Sequence, residues 1–185
     1  MRLGWDDTCL NATDLSRRAR DSGIRMLTVH GRTRAQFYKG RADWDRIADV
    51  ANIPDRPPLV ANGDVVDAAS ARSALARSGA DAVMVGRGAQ GAPWQLARIA
   101  HDLWGMPAPV VPQGDALADA VEEHYQDMLD FYGLELGLRV ARKHLGWYAE
   151  ASAAPLRAEM LRADSPAATV ALIRRAFADA RGIAA

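Results

Sequence analysis

Three short clusters in this sequence combine glycine with a side chain that can bind an anion or hold a proton: His30-Gly31-Arg32, Asn62-Gly63-Asp64 and Gly86-Arg87-Gly88. Glycine lets backbone N–H groups approach a phosphate closely, and a helix that follows adds the positive end of its dipole. Arginine adds a planar set of donors for the same oxygens. Taken singly, a glycine at such a place is more often a turn device. Three clusters in order, roughly 25 to 30 residues apart, match the spacing of consecutive βα units and point to a phosphate-bearing ligand. His30 has two readings, a ligand contact or a satisfied, half-buried imidazole. Arg32 and Arg34 read either as phosphate contacts or as a solvated pair on a loop. Phe37, Tyr38 and Trp44 either pack that loop or stack on a base.

These clusters need strands to hold them. Leu59-Val60-Ala61 runs straight into Asn62-Gly63, a pair that commonly marks a two-residue hairpin turn. No second strand follows. Val66, Ala69, Leu75 and Ala76 fall at helical spacing, Gly79 closes the helix, and the next strand-like run, residues 82–85, comes only afterwards. Strand, helix, strand is a crossover between parallel strands, so Asn62-Gly63 sits at a strand's carboxyl end, where parallel α/β folds bind ligands. Upstream, Asn11 or Thr13 can cap a helix carrying Leu15 and Ala19 that stops near Gly23. Residues 24–29 suit a buried strand, and residues 44–51 a helix with Trp44, Ile47, Ala48 and Ala51 on one side. Pro93 stands at the first turn of another helix. Residues 105–114 hold three prolines without helical period and read as a linker. Beyond them Leu117, Val121, Tyr125, Met128 and Tyr132 form one stripe, and helices are expected over 134–150, 155–163 and 166–180, the last capped by Ser165 before Pro166. A small antiparallel helical bundle is the natural assembly.

The 185 residues carry 23 Lys plus Arg against 23 Asp plus Glu, and this balance hides an asymmetry. Residues 101–138 hold eight acids and no Lys or Arg, whereas residues 139–185 hold eight bases and four acids. A basic helical surface suits nucleic acid phosphates, although the same pattern fits an ordinary solvated face. No apolar run approaches the roughly 18 to 20 residues of a membrane span, and Asp6 and Asp7 stand where a secretory signal peptide would be apolar. A cytoplasmic protein away from the membrane is expected. The single cysteine, Cys9, has no partner for an internal disulfide or a metal knuckle, and no metal site is expected.

Four motifs carry a resemblance: VHGRTRAQFYKGRADW (29–44), VANGDV (60–65), DAVMVGRGAQGAPW (81–94) and ARKHLGWY (141–148). In this order they look like the carboxyl-terminal half of a bacterial tRNA-dihydrouridine synthase of the B type, and the likeness covers nearly the whole chain. It implies an FMN enzyme that reduces a uridine of tRNA to 5,6-dihydrouridine, with NADPH recharging the flavin. The implied fold is the C-terminal half of a (β/α)8 TIM barrel, strands 5 to 8, over residues 1–104, a linker at 105–114 and a helical tRNA-binding domain at 115–185. Carried over by motif, Asn62, Gly63, Asp64, Gly86 and Arg87 hold FMN, mainly its phosphate and ribityl end, and His30 stands beside the flavin. Arg142, Lys143 and His144 would face the RNA.

The likeness has a gap. The family's opening flavin loop and the cysteine that protonates the uracil ring have no counterpart here, nor does the lysine that the family places just before the methionine matching Met1. Cys9 follows what resembles the fifth strand and matches no catalytic position, so no catalytic residue is assigned to this chain. A truncated gene product or partial reading frame is therefore expected, binding FMN weakly or not at all. Its unpaired sheet edges should favour poor solubility or dimerisation. Two other readings stand beside this one: a non-catalytic RNA-binding helical module attached to an incomplete barrel, and a phosphate-binding barrel enzyme for a small metabolite. The helical appendix and the GRTRAQ loop weigh against the second, since a small substrate needs neither.

Overall fold

A computed structural model describes residues 1–178; the helix end expected at Ala180 lies outside them. The chain divides into two units, Met1–Ala89 with Gln95–Ala108, and Gln90–Trp94 with the residues from Pro109 on.

In the first unit Arg2 forms a parallel bridge to His30. An antiparallel pair, β1 (Gly4–Asp6) and β2 (Cys9–Leu10), then leads into α1 (Ala12–Asp21). Three parallel strands follow in spatial order, β3 (Leu27–His30), β4 (Leu59–Asn62) and β5 (Ala82–Met84). Helix α2 (Ala48–Ala51) lies between β3 and β4, α3 (Ala68–Ser78) between β4 and β5, and α4 (Gln95–Trp104) after β5. Leu59, Val60 and Ala61 are all buried, as a central parallel strand covered on both faces requires. β3 alternates, with Leu27 and Val29 in the core beside Ile47, Val50, Ala71, Ala74 and Ile99. Asp67 and Ser70 form a reciprocal capping box that starts α3, and Gly79 at φ 63° stops it.

Three expectations are corrected here. The strand expected at 24–29 is Leu27–His30, and Ile24 and Met26 are exposed. Segment 44–51 is a 3-10 turn (Asp45–Ile47) running into the single turn of α2, burying Trp44, Ile47 and Val50. Helix α3 buries Ala71, Ala74 and Ser78, while Val66, Ala69 and Ala76 are exposed. Alanine occurs on every side of that helix, so spacing alone could not select the face, and close packing on the sheet chose the smallest side chains.

The second unit is helical. α5 (Asp115–Ala151) breaks at Gly133, where φ 72° and ψ 167° leave the helical region, and α6 (Arg157–Arg162) and α7 (Pro166–Phe177) follow. Leu117, Val121, Tyr125 and Met128 are buried with Leu145, Tyr148, Met160, Ile173 and Phe177. Tyr132, placed on the same stripe by spacing, is 45% exposed because the break follows it at once. Ser165 accepts a hydrogen bond from the Ala168 N–H and caps α7. Gly91, at φ 72°, lies so close to α5 that an added Cβ would sit 2.2 Å from the Trp147 carbonyl oxygen. Among the described residues no helix is long and apolar enough to cross a membrane.

Candidate anion site at the strand ends

Parallel register sets His30 opposite Asn62 and Asn62 opposite Met84, so three strands finish level. The loops that leave them bring together all six of the residues expected from sequence. His30, Asn62, Gly63, Asp64, Gly86 and Arg87 line one cavity of about 390 Å³ in the first unit. Among the described residues, the amide N–H groups of Asp64, Gly86, Arg87 and Gly88 donate to no protein acceptor, while the Gly63 N–H closes the β4–β5 ladder against Met84. Backbone donors left open at strand ends are the usual cradle for an anion. A Cβ on Gly86 would meet nothing within 4 Å, so this backbone faces open space. Gly63 is different. Its φ is 108°, and a Cβ there would lie 2.5 Å from His30 Cδ2. Glycine at 63 thus allows both the turn and the approach of the imidazole.

Asp64 ties the loops together and itself adopts φ 56°. Its Oδ2 accepts from Arg32 Nη2 at 2.6 Å and from the Ala42 N–H at 2.8 Å, and its Oδ1 from Arg87 Nη2 at 3.3 Å. Burial alone would raise its pKa, but the Ala42 N–H and the Arg32 guanidinium outweigh burial and hold it below the usual carboxylate range. Asn62 Nδ2 donates to the Met84 carbonyl at 2.9 Å, tying β4 to β5 by side chain as well as backbone. Trp44 Nε1 donates to the Gly63 carbonyl at 2.9 Å and fixes the loop from behind.

Arg32 is 1% exposed and donates to the carbonyls of Lys39 and Gly40 as well as to Asp64. Of the two sequence readings for Arg32, the solvated pair is excluded. Arg34 lies over Phe37, 5.7 Å from its centroid, and the Phe37 ring meets Tyr38 edge-on. Guanidiniums of Arg87 and Arg2 stand 5.0 and 5.7 Å from the Tyr38 centroid. Asp64 is the one acidic side chain lining the cavity, against Arg87 in the lining and Arg2 and Arg32 beside it. That excess of positive charge suits an anion. Burial, reinforced by Arg2, Arg32 and Arg87 and opposed by Asp64, lowers the His30 pKa to about 4, so the ring is neutral at pH 7. Arg2 and the buried state of Arg32 are the parts that sequence reasoning missed, whereas Trp44 packs the loop, one of its two sequence readings. Residues 30 and 32 share a face where the chain stays extended, which was the available clue to their pairing.

In the second unit the three residues expected to face RNA are divided. Arg142 and Lys143 are exposed on α5, and Arg142 Nη2 reaches the Ala163 carbonyl at 3.3 Å. His144 turns inward, edge-on to His124 at 5.0 Å and Trp147 at 4.9 Å, and burial followed by His124 lowers its pKa. It lines a cavity of about 680 Å³ with Asp127, Asp130 and Phe131, a lining that suits phosphate poorly. Arg174 pairs with Asp119 and, at 2.5 Å, with Glu122, so part of the basic tail is balanced by the acid-rich start of α5. Cys9 is exposed on β2. No group of three or more His, Cys, Asp or Glu suited to a metal ion occurs among the described residues.

Comparison with known proteins places this geometry in context. The family model "Dihydrouridine synthase" matches residues 1–181. A probable tRNA-dihydrouridine synthase of Rhodobacter capsulatus is 62% identical over 179 residues, covering 97% of this chain and 55% of that protein. One of Rhizobium leguminosarum is 53% identical over 150 residues, covering 81% of this chain and 45% of that protein. The tRNA-dihydrouridine synthase B of Xanthomonas axonopodis pv. citri is 42% identical over 179 residues, covering 96% and 54%. The chain spans about half the length of these curated relatives.

Proposed function

We infer the function from a plain premise: this chain belongs to the dihydrouridine synthase family. The protein, we propose, reduces a uridine of tRNA to 5,6-dihydrouridine, and the cavity at the strand ends takes the phosphate and ribityl end of FMN. One observation carries the second part, the set of unpaired amide N–H groups at Asp64, Gly86, Arg87 and Gly88 in residues that line a single cavity. FMN, when bound, supplies the electron pair that saturates the uracil C5–C6 bond, and NADPH recharges it.

The chain's own residues have simpler tasks. The open amides and the Arg87 guanidinium bind the phosphate, and Asp64 holds Arg87 and Arg32 in place. His30, neutral at working pH, stands beside the flavin and offers hydrogen bonding without charge. The bridge of Arg2 to His30, followed by β3, β4 and β5, supports reading this unit as strands 5 to 8 of a TIM barrel, spanning residues 1–104. Residues 115–185 form the tRNA-binding part, with the exposed Arg142 and Lys143 as phosphate contacts and His144 as their packed support. A cytoplasmic location follows from a tRNA substrate. FMN binding by these residues alone should be weak, because they cover only part of the barrel that encloses the flavin.

Deleting the gene in its own host and measuring tRNA nucleosides by mass spectrometry tests the activity. Dihydrouridine should disappear from at least one tRNA position and return on complementation. Unchanged dihydrouridine at every position would contradict the proposal.

A further inference from the structure

His30 and Arg32 present a pairing that decides more than packing. Arg32 Nη1 lies 3.3 Å from His30 Nε2. A guanidinium only donates, so Nε2 must be the lone-pair nitrogen, and a neutral ring then carries its proton on Nδ1. The imidazole cannot turn freely to escape this. Its Cδ2–Nε2 edge packs on Gly63, where an added Cβ would lie 2.5 Å from Cδ2 and 2.8 Å from Nε2. Arg32 is just as constrained, held by the Lys39 and Gly40 carbonyls and by Asp64 Oδ2 while 1% exposed. Nδ1, on the opposite edge of the ring, has no protein partner among the described residues, and His30 lines the cavity.

We propose that Arg32 is a positioning residue: by donating to His30 Nε2 from a buried, Asp64-held guanidinium, it locks His30 in the neutral Nδ1–H tautomer. The site thereby presents a fixed hydrogen-bond donor to an acceptor atom of its ligand, a carbonyl, ring nitrogen or phosphate oxygen, and withholds a general acid. The charged groups facing the ring are Arg2 from the N-terminal stretch, Arg32 and Asp64 from the loops after β3 and β4, and Arg87 from the loop after β5. Three of the four are cations, so they oppose a second proton on the ring. The ligand's identity rests on the function proposed above, but the protonation state of His30 does not.

Nitrogen-15 NMR of the full chain without ligand, labelled at its four histidines, reads the tautomer directly. His30 is assigned by loss of its signal in His30→Asn. The expected spectrum has a protonated Nδ1 and an unprotonated Nε2, unchanged from pH 8 to pH 5. Arg32→Lys keeps the charge, yet its single ammonium should be taken by Asp64 and the two carbonyls. His30 should then exchange between tautomers and titrate closer to the ordinary value of about 6.5. A native Nε2–H tautomer, or ordinary titration of native His30, would overturn the proposal even if the lysine variant failed to fold. A folded Arg32→Lys protein with unchanged His30 nitrogen shifts would reduce Arg32 to a purely structural residue. Absence of FMN binding would leave this spectrum as it is, so the two proposals fail separately.

Discussion

Asp64 sits where two demands meet, since the same carboxylate neutralises the buried Arg32 and restrains the half-exposed Arg87. Asp64→Asn keeps the shape and removes the charge, leaving a guanidinium that is 2% exposed without its counter-ion. Loss of a buried charge partner predicts roughly 3 kcal/mol of lost stability, read as a lower urea midpoint. The pH dependence has two windows of the same sign. The unfolded chain protonates His30 near pH 6.5 while the native ring waits until about 4, so stability falls as pH drops through that interval. The native pKa of Asp64 is depressed, so its contribution is full above the unfolded value of about 3.9 and is lost as pH falls through the native one. Urea midpoints measured from pH 8 to pH 3 should therefore decline in both windows. Asp64→Asn should shrink the lower decline, which Asp45, Asp67 and Asp81 share, and His30→Asn the upper, to which His144 also adds. A native midpoint flat between pH 6.5 and 4 would contradict the account of His30. From sequence, His30 and Asp64 were legible as candidates because each ends a strand. Their dependence on Arg32 was not, because that contact joins Arg32 to a residue 32 positions away.

At the scale of elements, local chemistry was legible wherever a cap or a glycine acts through its neighbours in sequence. Ser165 before Pro166 and Gly79 after α3 do what their types and places indicate. Longer-range choices were hidden. The buried face of α3 depends on the sheet it covers, and the inward turn of His144 depends on His124 on the other side of the Gly133 break. Gly91 is the sharper lesson. Sequence places it in one glycine-rich run with Gly86 and Gly88, yet Gly86 and Gly88 line the cavity of the first unit and Gly91 packs on α5 in the second. Gly91→Ala forces a side chain to within 2.2 Å of the Trp147 carbonyl from a φ of 72°, and the backbone must give way. The variant should destabilise the helical unit by roughly 2 to 3 kcal/mol, seen as earlier loss of Trp147 and Tyr148 side-chain signals on heating. Full retention of the melting profile would show that the segment is not held against α5.

Across the whole molecule the division of labour follows the division of charge and backbone. The first unit concentrates open amides and arginines at the ends of β3, β4 and β5, and the second sets Arg142 and Lys143 on an exposed helical surface. The α/β class and the meeting of the three strand-end loops at one cavity could be read from sequence because strand–helix alternation fixes which loops meet. How much of the basic tail is free could not, since Arg174 spends its charge on Asp119 and Glu122 far back in the chain. In the function proposed above, the strand-end amides recognise the phosphate of a flavin. Titrating the ¹⁵N-labelled chain with FMN and, separately, with riboflavin at the same sub-millimolar concentration tests it most directly. The two ligands share the ring and ribityl chain and differ only in the phosphate. FMN should shift the amide signals of Gly63, Asp64, Gly86 and Gly88 in a weak, unsaturated titration, while riboflavin leaves them in place. Equal shifts from both ligands, or FMN shifts confined to other residues, would contradict the account.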